Sequence, residues 1–83
     1  MKAEYDRRHD AAYFRFTQAD VVRQERLSGL RVIDFAADGS LVGVEFISPS
    51  LGIDLAGVPC AAEIEQEAER LGLPIRRSAS AAG

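Results

Sequence analysis

Leu30-Arg31-Val32-Ile33-Asp34-Phe35, then Ala36-Ala37-Asp38-Gly39-Ser40, then Leu41-Val42-Gly43-Val44-Glu45-Phe46-Ile47, is the stretch on which the fold turns. Both flanking runs are β-prone. Asp38-Gly39 between them is a favoured hairpin turn, because Asp tolerates and Gly readily adopts the positive φ that a type I′ turn needs. A two-residue loop pairs Phe35 with Val42, Ile33 with Val44 and Arg31 with Phe46 on one face. On the other it pairs Asp34 with Gly43, Val32 with Glu45 and Leu30 with Ile47. Both faces are then substantially apolar, whereas a sheet with one solvated face alternates more cleanly. A cover is expected on each side: one from the chain's single helix, the second from another subunit.

Upstream, residues 2–5 alternate as a short strand does, and Asp6 to Asp10 form a polar break. Ala12-Tyr13-Phe14-Arg15-Phe16 reads as a strand with Ala12, Phe14 and Phe16 on one face and Tyr13 and Arg15 on the other. Residues 21–27 are a polar strand suited to a sheet edge, where charge discourages stray pairing. Downstream, residues 48–59 are an irregular connection tacked to the core by Leu51, Ile53, Leu55 and Val58. A helix follows over 60–71: Pro59 suits its first turn, and Ala61, Ile64, Ala68 and Leu71 form one apolar stripe. Gly72 and Pro74 end it. Leu73 to Arg76 suggest a short edge strand, and Ser78 to Gly83 a frayed tail. The expected architecture is α+β: one domain over 1–77, a meander of four or five antiparallel strands with one C-terminal amphipathic helix packed on it, and a disordered tail over 78–83.

Composition narrows the function classes. Eighty-three residues make one small domain, and such a domain buries only roughly 60–65 % of the surface its open chain exposes. Its net charge of −3, from 10 basic and 13 acidic residues, argues against a chain devoted to gripping phosphates. One cysteine excludes an intramolecular disulfide framework. With neither a disulfide nor an evident metal cluster, self-association is the remaining route to extra stability. No signal-peptide pattern and no apolar window of membrane-spanning length is seen, so the expected compartment is the cytoplasm.

Three stretches carry a family resemblance. Tyr5-Asp6 with Asp10-Ala11-Ala12-Tyr13-Phe14-Arg15-Phe16 is similar to the opening turn and strand of the prokaryotic domain-of-unknown-function 2283 family. Glu25-Arg26-Leu27 resembles its glutamate-bearing third strand, and Ile33-Asp34-Phe35 through Ile47 its hairpin. His9, Arg7 and Ala36 depart from the usual pattern. The resemblance implies a small antiparallel sheet with a helix, and no known reaction or catalytic residue. It also suggests an antitoxin-like companion of a small toxin-like protein, an association rather than a mechanism.

Few residues offer chemistry. His9, between Asp6 and Asp10, is a candidate general base or metal ligand, with a solvated turn residue as the plainer reading. Cys60, at the expected helix start, is a candidate low-pKa thiol, with a small core filler as the plainer reading. Asp34 and Glu45 share a face and need hydrogen bonds or a cation, with Arg15 and Arg31 as the expected partners. Their plainer role is a network that specifies register or a subunit interface. Arg7, Arg8, Arg15, Arg23, Arg26 and Arg31 concentrate basic charge in the first 31 residues, with Tyr5 and Tyr13 available for stacking.

The favoured function is a non-enzymatic protein-interaction module: a homodimer, or a regulatory, antitoxin-like partner. Recognition is assigned to Arg15, Arg23, Arg31 and Glu45, with Tyr13 as the aromatic anchor. No cofactor and no membrane is expected. A small hydrolase or metal-dependent enzyme using Asp6, His9 and Asp10 is the second class, and weak nucleic-acid binding through an arginine-bearing sheet face the third.

Overall fold

A computed structural model describes residues 1–77; the predicted tail over 78–83 lies outside the described residues. Five strands, β1 (Lys2–Asp6), β2 (Ala11–Arg15), β3 (Arg23–Ser28), β4 (Arg31–Phe35) and β5 (Leu41–Ile47), form one antiparallel sheet. A 3₁₀ turn at Pro49–Leu51 leads to β6 (Ile53–Asp54), helix α1 (Ala61–Arg70) and β7 (Ile75–Arg76). The chain is α+β, as expected. No described helix is long and apolar enough to cross a membrane.

The strand order β1-β2-β5-β4-β3 corrects the simple meander. The hairpins β1–β2 and β3–β4–β5 form as read, but β2 pairs with β5, so residues 16–22 carry the chain to the far edge. Sorting by polarity explains the choice. The strands with buried side chains, β2, β4 and β5, take the middle, while the exposed and charged β1 and β3 take the edges, where unpaired backbone is best guarded by charge. The expected edge strand over 73–76 is instead β7, which pairs in parallel with β6 in a separate two-stranded sheet.

The central hairpin keeps the expected register from Arg31↔Phe46 to Asp34↔Gly43, with one correction: Phe35 pairs with Leu41, not Val42. Gly39 N–H donates to Ala36 O at 3.0 Å, and Ala36 N–H to Ser40 O at 2.9 Å. The loop therefore holds three residues, and only Gly39 (φ 86°) takes positive φ. Three-residue loops of this kind end in a left-handed glycine. The extra loop residue slips the register by one, which alone would turn every side chain to the wrong face. A bulge at Val42 restores it.

Ala12, Phe14, Ile33, Val44 and Phe46 project from one face into a core shared with Ile53, Val58, Ile64, Ala68 and Leu73. Phe14 and Phe46 meet edge to face at 5.6 Å and 87°, a geometry worth about 1 kcal/mol beyond area burial. Helix α1 and the 48–58 connection cover this face. Its start falls two residues beyond Pro59, because Cys60 sits in the left-handed region (φ 55°) as the N-cap. That bend points Cys60 outward, so the cysteine is exposed and fills no core space.

Candidate functional site

The opposite face of the sheet, here the outer face, carries Lys2, Glu4 and Asp6 from β1, and Ala11, Tyr13 and Arg15 from β2. Gly43, Glu45 and Ile47 come from β5, Val32 and Asp34 from β4, and Gln24 and Arg26 from β3. The register places Glu4, Tyr13, Glu45, Val32 and Arg26 in one cross-strand row, and Lys2, Arg15, Gly43, Asp34 and Gln24 in the next.

Tyr13 organises this surface. Its ring lies across Gly43, so a Cβ on that glycine would sit 2.4 Å from the Tyr13 hydroxyl. Passing over the missing side chain, the Tyr13 O–H donates to Asp34 Oδ2 at 2.8 Å. Gln24 Nε2 donates to Asp34 Oδ1 at 2.9 Å. Asp34 is 6 % exposed, and a carboxylate so placed needs such donors. Burial, then the bond to Asp34, pushes the Tyr13 hydroxyl up to about 12. The Arg15 guanidinium lies 5.9 Å from the Tyr13 ring centre, within cation–π range.

Asp34 and Glu45 do share a face, but Asp34's partners are a phenol and an amide rather than the expected arginines. Arg15 instead donates to the Thr17 and Ala19 carbonyls, at 2.9 and 3.5 Å. Arg31 clamps the downstream connection, donating to the Asp54 and Ala56 carbonyls at 3.2 and 2.5 Å. Of the five recognition residues read from the sequence, Tyr13, Arg15 and Glu45 come together on the outer face. Arg23 and Arg31 project from the helix-side face, Arg23 with its guanidinium 4.3 Å from the Phe35 ring centre. Gln24 and Gly43 escaped the sequence reading. An isolated glycine inside a β-branched strand is a signal of close approach that could have found Gly43.

The basic residues do not form a single face: Arg7 stacks toward Tyr5 at 5.6 Å and Arg23 over Phe35. Tyr5 belongs to the helix-side cluster, opposite Tyr13.

Asp6, His9 and Asp10 divide into two groups. His9 Nδ1 lies 2.7 Å from Asp6 Oδ2 in an open turn, the imidazole 74 % exposed. Asp6 Oδ1 also accepts the Arg8 and His9 backbone N–H groups; the His9 side-chain bond is the main reason its carboxyl is held below the usual range. Asp10 turns away, accepting the Tyr5 hydroxyl at 2.9 Å, the Ser50 N–H at 3.2 Å and the Ser50 hydroxyl at 2.5 Å. Ser50's hydroxyl is the chief influence lowering the Asp10 carboxyl. Asp10 thus clips the β1–β2 turn to the 3₁₀ turn. Among the described residues no three His, Cys, Asp or Glu side chains are grouped so that they could hold a metal ion.

No curated protein and no solved structure matches the chain. A family does: the match spans residues 2–50, the whole five-stranded sheet with its outer face and the Asp10–Ser50 clip. The chain belongs to the family described as Protein of unknown function (DUF2283).

Proposed function

We propose that the protein is a non-enzymatic interaction module whose outer sheet face receives a second copy of the same chain. One observation carries this reading: Tyr13 is fixed on that face by its bond to buried Asp34. An immobilised aromatic amid charged neighbours loses little entropy on docking, which is what interface anchors require.

Charge order argues for self-association. Lys2 and Arg15 stand at one end of β1–β2 and are cross-strand partners. Asp6 lies at the other end, with Glu4 and Glu45 level with Tyr13 between them. Lys2 and Asp6 are four residues apart, about 13 Å along a strand. A copy turned by a two-fold axis that runs across the strands near Tyr13 sets Lys2 over the partner's Asp6, the self-complementary pattern of an isologous dimer. A hydrolase reading is less well supported, since Asp10 is committed to Tyr5 and Ser50.

Light scattering across micromolar to millimolar protein tests the proposal. The expected mass at the upper end is twice 9.0 kDa. Lys2→Glu and Asp6→Lys each place like charges opposite one another and leave monomers, and an equal mixture of the two recovers the dimer. A monomer at about 1 mM, where an interface contributing roughly 4 kcal/mol is half-formed, overturns the proposal. So does a dimer indifferent to both substitutions.

A further inference from the structure

Where the β3–β4 turn approaches β6 and β7, a cleft of about 320 Å³ opens between Ser28, Leu30, Arg31, Ile47, Asp54 and Arg76. It uses neither Tyr13 nor the Lys2–Asp6 charge order, so it stands or falls separately from the dimer.

Arg31 is the reason to look here. Its side chain is 13 % exposed and is held on three sides. Nε donates to Ser28 Oγ at 3.2 Å, and Nη1 to the Asp54 and Ala56 carbonyls. Nη2 is different. Its ion-pair partner, Asp54 Oδ2, lies at 3.8 Å, beyond hydrogen-bond reach. Among the described residues no side-chain nitrogen or oxygen is both buried and unpaired, so Nη2 keeps some contact with the open space.

Two further donors border the same space. Ser28 Oγ already accepts from Leu30 N–H and Arg31 Nε, both at 3.2 Å; its own proton is therefore free to be donated. Arg76 lines the cleft with no carboxylate partner among the described residues. Gly52 leaves room for it: a Cβ on Gly52 would come within 2.9 Å of Arg76 Cβ, and its φ of 112° suits only glycine.

We infer that this cleft binds a carboxylate carrying a small aliphatic group. A pre-oriented guanidinium nitrogen, a hydroxyl and a second guanidinium form a donor set for a planar oxyanion. Two arginines against Asp54 leave one net positive charge, which matches a monoanion better than a phosphate dianion. Leu30, 41 % exposed, and Ile47 supply an apolar wall beside these donors, and the volume sits at the small end for ligand pockets. The carboxylate can come from a free organic acid or from the C-terminus of a peptide chain.

The test is a titration of the full chain followed by amide and arginine Nε–H NMR signals, with isovalerate and isovaleramide as probes. A second pair is acetyl-Ala-Leu with a free or an amidated terminus. Both acids are expected to shift Ser28, Leu30, Arg31 and Gly52 saturably, and both amides to bind at least tenfold more weakly. The tighter of the two acids identifies the source. Arg76→Glu, an exposed change that leaves the rest of the spectrum in place, is expected to weaken the acids at least tenfold. Equal binding of acid and amide overturns the inference, as do shifts centred elsewhere, indifference to Arg76→Glu, or no shift at about 50 mM, well above the weakest Kd of interest.

Discussion

Replacing Gly43 by alanine tests the architecture of the outer face most directly. The added Cβ would lie 2.4 Å from the Tyr13 hydroxyl, 2.5 Å from its Cζ and 2.8 Å from the Phe14 carbonyl oxygen, all closer than van der Waals contact allows. In a solvent-facing strand, alanine for glycine is ordinarily favourable by about 0.5–1 kcal/mol. Here the ring must lift off the sheet, and Asp34, buried at 6 % exposure, loses the donor it holds at 2.8 Å. Losing a hydrogen bond to a charged acceptor costs about 1.5–3 kcal/mol, and crowding a packed position about 1–3. The expected net destabilisation is about 2–4 kcal/mol, or a drop in Tm of more than about 10 °C for a domain of this size. Because that approaches the whole stability of a small domain, the decisive measurement is a double-mutant cycle by urea unfolding. In a Tyr13→Ala background the ring is already gone and only the Phe14 carbonyl contact remains, so Gly43→Ala should cost about 1 kcal/mol or less. The coupling between the sites is then more than about 1 kcal/mol. Equal costs in the two backgrounds, or a cost below about 0.5 kcal/mol in the native one, would refute the account.

Two further outcomes follow from the ionisable groups. Tyr13 has its hydroxyl raised from 10.0 to about 12, so the folded state holds this proton where the unfolded chain has released it. The stability this contributes is complete below pH 10 and is lost as pH rises to about 12; ultraviolet titration alongside urea unfolding should show that window, and Tyr13→Phe should remove it. Asp10 is shifted the other way, first by the Ser50 hydroxyl, so its contribution is present above its ordinary value of 3.8 and fades as pH falls through the depressed one. Carboxyl NMR should place Asp10 closer to the ordinary value in Ser50→Ala, and an unchanged Asp10 titration would mean that the clip does not exist in solution.

Much of the fold was legible because period-two patterning is strict. Ile33, Val44 and Phe46 against Val32, Asp34 and Glu45 define which residues of each strand share a face, whatever the loop length between them. The loop itself was misread by one residue, because Asp38-Gly39 suits both a two-residue and a three-residue turn; a bulge at Val42 can absorb the difference, and local sequence does not say where the bulge falls. Strand order was hidden for a related reason. Nothing near Arg15 says that its neighbour will be Gly43 rather than a residue of the next strand, since that choice is made by burying the most apolar strands together. The partners of Asp34 were missed because a tyrosine hydroxyl and a glutamine amide can also satisfy a buried carboxylate, and the tyrosine reaches it only across a glycine. The Asp10–Ser50 clip joins residues forty positions apart with no pattern linking them.

The case for a companion chain changes in kind once the outer face is seen. Apolar pairing in the hairpin suggested oily surface that a second subunit would have to cover. Yet Val32 is only 6 % exposed in a single chain, so the middle of that surface is already shielded within one molecule, while Leu30 at its end stays 41 % exposed. What remains outward is a fixed aromatic and an ordered array of charges. A hydrophobic face would drive association indiscriminately, whereas in the proposed dimer Tyr13 and its flanking charges would favour one orientation. Such an interface should be weak, salt-sensitive and specific. The Arg31 cleft differs again: Ser28, Leu30, Arg31 and Ile47 come from the family-matched sheet, but Asp54 and Arg76 come from beyond residue 50. Self-association therefore asks only for an intact sheet, while ligand binding also asks that β6 and β7 be in place, and loosening the C-terminal elements should abolish the second while sparing the first.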